Sequence, residues 1–137
     1  MYFISLFAFA TAAALGLLMA VLHFRGEQSG RAIGLAHGLF ALSGIVLLAV
    51  GLGKLNAGPA WWIVAGFGVV ALGGAYLFSR QVQGKPWPGL VIAIHGGLAL
   101  VMIVVLGLWL ADRPEPESED GSVPATTVQA ALPPAAA

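Results

Sequence analysis

His37 and His95 are the residues of this chain whose type and placement could do chemistry. Each sits inside an apolar stretch and is followed by a glycine, RAIGLAHGLFALSGIVLLAVGLG around the first and PGLVIAIHGGLALVMIVVLGLWL around the second. A neutral imidazole offers one lone pair to a metal and one N–H to an acceptor. Carrying an imidazole into lipid is costly, so one found there is read first as functional. A pair of them could ligate one metal ion, pass protons, or hydrogen-bond across helices for packing alone.

The two histidines belong to a longer correspondence. An offset of 58 residues lays Phe3 to Leu55 over Trp61 to Arg113. It pairs His37 with His95, Gly38 with Gly96, Gly16 with Gly74, Gly26 with Gly84, Ala41 with Ala99, Ile45 with Ile103 and Leu48 with Leu106. The pattern is that of an internal repeat, so one explanation should serve both histidines.

The elements that must position them are membrane helices. Of 137 residues, 59% are apolar and 9% charged, where a soluble domain carries about 25% charged residues. Four stretches can each span the bilayer as a helix: Tyr2 to Phe24, Arg31 to Gly53, Ala60 to Ser79 and Pro88 to Ala111. Each is close to the roughly 20 residues that the hydrocarbon core requires. None holds an Asp, Glu, Lys or Arg away from its ends. With no cysteine in the chain, disulfides, thiolate metal sites, iron–sulfur clusters and C-x-x-C-H haem attachment are excluded. The small-residue patch from Phe9 to Ala13 looks like a leader-peptide cleavage site. No basic residue precedes the apolar run, however, and the run continues to Phe24, so the first stretch reads as a retained span.

Short connections predict an all-α, four-transmembrane, up-down-up-down bundle over residues 1–111, built from a two-helix repeat. Basic residues sort to one side: Arg25 and Arg31 after the first span, Arg80 and Lys85 after the third, against Lys54 and Arg113 opposite. That bias puts the odd-numbered loops in the cytoplasm of a bacterial-type inner membrane, with both termini outside. Trp61, Trp62 and Trp109 then fall at the outer interface and Trp87 at the inner one. From 112 to 137 the chain turns acidic and rich in Pro and Ala, which predicts a disordered tail.

In this bundle the second and fourth helices run parallel, and both histidines lie roughly 10 Å inside the cytoplasmic interface, at about 1.5 Å per residue. Neighbouring helices pack 8–10 Å apart, which puts diagonal ones roughly 11–14 Å apart. Two imidazoles reaching inward from opposite corners could then share one iron at bonds of about 2 Å. A haem held edge-on needs flat walls, which glycine provides by close backbone approach. Gly16 and Gly74 lie at about the histidines' depth on the other two helices, Gly38 and Gly96 follow the histidines directly, and Gly34 stands one turn before His37.

This pattern resembles the four-helix membrane b-type cytochromes, over about residues 2 to 111. The resemblance implies one haem b, with His37 and His95 as its iron ligands and Gly16 and Gly74 against its ring. The two-haem members carry a second histidine some 13 or 14 residues further along each helix. Those positions here are Val50, Gly51, Leu108 and Trp109, so a single haem is implied. An electron-transfer or accessory subunit follows, working in a lipid bilayer with a redox complex or with a second copy of itself. A quinone could exchange near His23, Arg25 and Arg31; no feature points to nucleic acid.

Simpler explanations compete. Glycine mediates close helix packing in membranes, as in the run Gly30, Gly34 and Gly38, and either histidine alone could serve only to bond a neighbouring helix. His23 reads as a solvated interfacial residue and Met102 as packing, although methionine can also ligate haem iron. A cofactor-free structural subunit is therefore one alternative reading. A small proton or metal transporter is the other.

Overall fold

The computed structural model describes residues 2–54 and 58–112. Four long helices account for most of them: α1 (Tyr2–Phe24), α2 (Arg31–Lys54), α3 (Trp61–Val82) and α4 (Gly89–Ala111), with a single 3-10 turn at Gly58–Ala60 before α3. No strand is present among the described residues. All four helices are long and apolar enough to cross a membrane, as expected of a multi-pass membrane protein in a lipid bilayer. The expected acidic tail lies, apart from Asp112, outside the described residues.

The third helix runs on past the expected end of its span at Ser79, to Val82. Hydropathy falls at Arg80 and Gln81, but backbone hydrogen bonding continues until glycine stops it. Gly84 takes φ +65° and Gly26 takes φ +77°, the left-handed conformation in which a helix turns off its axis. Around Gly84, the Gly84 N–H donates to the Gln81 carbonyl and the Lys85 N–H to the Arg80 carbonyl. After α1, the Gly26 N–H donates to His23 and the Glu27 N–H to Leu22. Both ends are Schellman caps. The two capping glycines are themselves 58 residues apart.

Packing follows the order of the chain: α1 lies on α2, α2 on α3, α3 on α4, and α4 returns to α1. Glycines bring α1 close to α2, with Tyr2 at Gly51, Phe9 at Gly44 and His37 at Gly16; Gly66 meets Met102 and Gly74 meets His95 between α3 and α4. The polar loops are tied to one another. Arg31 donates to the Val82 carbonyl, Gln81 to the Ser29 carbonyl, and Arg80 to the Pro86 carbonyl.

The packed core fills only one half of the bundle. Phe9, Leu48, Leu52, Ala60, Ile63, Phe67, Val70, Met102 and Leu106 form it, toward the end where the Tyr2 and Trp109 rings meet edge to face. Beyond Ala12, Gly44, Val70 and Met102, toward the end holding His23, only Gly34 is buried. That half holds a cavity in place of a core.

Candidate functional site

The boundary between the two halves is aromatic. Phe9 of α1 and Phe67 of α3 stack face to face, with centroids 4.0 Å apart and planes 7° from parallel. Both rings are almost fully buried. They too are related by the offset of 58 residues. On the far side of this stack lies a cavity of about 340 Å³, within the range of 300–1,000 Å³ typical of small-molecule sites.

His37 and His95 line that cavity from α2 and α4. Their ring centroids lie 6.1 Å apart, and the planes are inclined by 71°. His37 Nδ1 is 2.7 Å from the Ala12 carbonyl oxygen and His95 Nδ1 is 3.0 Å from that of Val70. A carbonyl only accepts, so Nδ1 carries the hydrogen and donates in both bonds. Each bond spans 25 residues of chain, and its two acceptors are 58 residues apart, like the histidines. The described residues offer Nε2 of either ring no hydrogen bond, which leaves two lone pairs at the cavity.

The remaining lining is small or apolar. α1 contributes Ala12, Ala13 and Gly16 and α3 contributes Ala71, Gly74 and Ala75, small residues beside the larger Met19 of α1 and Leu77 of α3. Farther out stand Phe78, Gln81 and Trp87. Gln81, at the position paired with His23 by the offset, donates to Ser29 and packs against Gly34.

The glycines expected around the site separate into groups. Gly16 and Gly74 lie directly against the imidazoles: a Cβ at either would stand 3.0 Å from Cε1 of His37 or His95 respectively. Gly34 lies instead against Phe78 and Gln81. Gly38 borders the cavity but a Cβ there would meet nothing within 4 Å, and the same is true of Gly96, which is exposed and outside the lining. His23 lies beside Trp87, with centroids 5.6 Å apart. Met102 is buried in the core against Gly66. At the positions where a second pair of ligands would stand, Gly51 packs on Tyr2 and Trp109 meets the same ring.

The donor set can be tested against a shared metal centre. Bonds of about 2 Å, with roughly 1.1 Å from each ring nitrogen to its ring centre, put two imidazole centres about 6 Å apart across one ion. The observed 6.1 Å fits. Histidines that ligate metals also commonly donate their other N–H to a backbone carbonyl or carboxylate. Among the described residues no group of three or more His, Cys, Asp or Glu gathers anywhere. Two imidazoles alone would leave a bare ion short of ligands, whereas a macrocycle brings four nitrogens of its own.

No protein-family profile matches this chain, and neither a curated protein nor a solved structure matches it.

Proposed function

We propose that this protein is a single-haem, b-type cytochrome-like membrane subunit that transfers electrons within a redox complex. The observation that carries the reading is the 6.1 Å spacing of two imidazoles whose Nδ1 atoms are both already committed to backbone carbonyls. Nε2 of His37 and Nε2 of His95 would hold the haem iron. When bound, haem supplies one-electron chemistry at its iron. The protein's part is to hold, orient and enclose. The Ala12 and Val70 carbonyls fix the tautomer and rotation of each imidazole, the small residues Ala13, Gly16, Ala71, Gly74 and Ala75 would flank the group, and the Phe9–Phe67 stack bounds the cavity.

The same reading includes an up-down-up-down bundle built from a two-helix repeat. In support, the contacts of His37 with Ala12 and Gly16 recur, 58 residues on, as those of His95 with Val70 and Gly74. It also places the ends of the bundle: the basic loops with Arg25, Arg31, Arg80 and Lys85 in the cytoplasm of a bacterial-type inner membrane, and both termini outside. The haem would lie nearer the cytoplasmic face, where a quinone or a partner subunit could exchange electrons with it.

The test is spectroscopic. Purified in detergent after expression with haem supplied, the protein should be red, with a Soret band that shifts on reduction. His37→Ala or His95→Ala should abolish that spectrum, and His23→Ala should preserve it. A colourless wild-type preparation would overturn the proposal and return the protein to a cofactor-free accessory subunit or a small transporter.

A further inference from the structure

We propose that Gly16 and Gly74 are positioning residues that seat the two imidazoles, in place of the expected role as walls for the haem ring. The register carries this. Gly16 is the fourth residue after Ala12, and Gly74 the fourth after Val70. In an α-helix the N–H of residue i+4 donates to the carbonyl of residue i. Each acceptor carbonyl is thus shared between its own helix and a histidine from the neighbouring one.

Reaching a carbonyl already inside a helix requires that the approach be open. A helical Cβ tilts back toward the N-terminus, over the preceding turn, so the side chain at i+4 is the one that would cover the carbonyl of residue i. At both sites that side chain is a hydrogen atom. Any other residue would set its Cβ 3.0 Å from Cε1 of the ring, with Nδ1 next at 3.3 Å for His37. At that distance the ring must give by a few tenths of an ångström, and it is the ring's own hydrogen bond to the carbonyl that such a shift works against. α3 adds Gly73, 3.3 Å from His95 Nδ1 by the same measure. The correspondence does not extend to that position, where α1 has Leu15, so the seat common to both sites is the single glycine at i+4.

The consequence is chemical. With glycine present, Nδ1–H points at the carbonyl and the lone pair resides on Nε2 of a ring that lines the cavity. With alanine present the ring is pushed off the carbonyl, the Nδ1–H bond that fixes the tautomer weakens, and the ring loses its fixed orientation toward the cavity. Partners of this kind are worth about 10- to 100-fold in metal affinity when they orient a ligating histidine.

Two readouts test the assignment, one of them independent of haem, because the haem-dependent part rests on the function proposed above. In protein labelled with ¹⁵N-histidine and free of haem, His37 and His95 should show the Nδ1–H tautomer with slow hydrogen exchange. Gly16→Ala should remove that signature from His37 alone, and Gly74→Ala from His95 alone. Helix content by circular dichroism should be retained in both, and Gly68→Ala and Gly107→Ala, where a Cβ meets nothing within 4 Å, should leave both signatures intact. In haem-loaded protein, Gly16→Ala or Gly74→Ala should weaken haem retention about 10-fold or more and raise the midpoint potential, since loss of the Nδ1–H donor bond makes the ligand less basic. Persistence of the Nδ1–H signature in both alanine variants would overturn the assignment whether or not haem binds. Loss of the signature in those variants, when the wild-type protein takes up no haem at all, would uphold the seat and sink the cytochrome.

Discussion

Ser5 and Phe9 lie one turn apart on α1, and both are buried, but they contribute in opposite directions. The Ser5 hydroxyl has no hydrogen-bond partner among the described residues, and its side chain is fully enclosed. A buried hydroxyl left unpaired costs about 1–3 kcal/mol. Ser5→Ala should therefore raise stability by about 1 kcal/mol, measured by chemical unfolding in detergent; a lower stability would mean the hydroxyl has a role its surroundings do not reveal. Phe9 and Phe67 stack at 4.0 Å. Truncating a buried phenylalanine typically costs about 3–5 kcal/mol, and Phe9→Ala or Phe67→Ala should fall in that range in the same assay. Because the stack forms the floor of the cavity, either change should also loosen the histidine site above it, seen as a broadened Soret band. An unchanged band with lowered stability would mean that the stack supports the core without shaping the site.

At the scale of the helices, the glycines away from the histidines stand in three settings, distinguished by what surrounds them. At Gly26 and Gly84 the positive φ ends a helix, and a residue with a Cβ in that conformation costs about 1–2 kcal/mol. Gly26→Ala and Gly84→Ala should each lower stability by that amount while leaving the spectrum unaltered. At Gly44 the backbone is ordinary helix, but a Cβ would stand 2.8 Å from the Phe9 ring. Gly44→Ala should displace Phe9 from its stack, with a cost of about 1–3 kcal/mol for overpacking, and should alter the site as Phe9→Ala does. At Gly68 and Gly107 nothing is near, and alanine should be neutral or mildly favourable in the helix. A thermal-melt series over these five glycines checks the ranking; a uniform cost at all of them would contradict it.

The whole molecule is divided across its length: one half is packed, the other is hollow. The cavity lies in the half bounded by Phe9 and Phe67 and the loops after α1 and α3, and the opposite half is filled by Leu48, Leu52, Ile63 and Leu106. On the proposed function, a haem titration monitored by the pyridine haemochrome should accordingly give one haem per chain, and a ratio of two would contradict the single-haem reading. The chain has no cysteine, so single replacements report orientation without background. Gln28→Cys and Gln83→Cys should be labelled by an impermeant thiol reagent only from the cytoplasmic side of vesicles, and Lys54→Cys only from the other. The reverse pattern would invert the proposed orientation.

Four helices and the pairing of His37 with His95 were legible in the sequence because both rest on periodic and compositional features. Sustained apolar runs mark spans through the cost of an unpaired backbone in lipid, and a fixed offset aligns equivalent positions whatever their packing. Which glycine does what was not legible. Gly16, Gly34, Gly38 and Gly96 look alike along the chain, yet only Gly16 touches a histidine, because contact depends on the rotation of each helix about its axis and no local residue encodes that. The Phe9–Phe67 stack and the carbonyls of Ala12 and Val70 were equally hidden, since an aromatic in an apolar span reads as one more core residue and a backbone carbonyl has no identity in sequence. The chain by itself determined that two imidazoles lie inside apolar helices at positions an offset of 58 residues brings into register. Only the packing of α1 on α2 and of α3 on α4 decided that their rings meet with centroids 6.1 Å apart, each held by a carbonyl that a missing side chain leaves open.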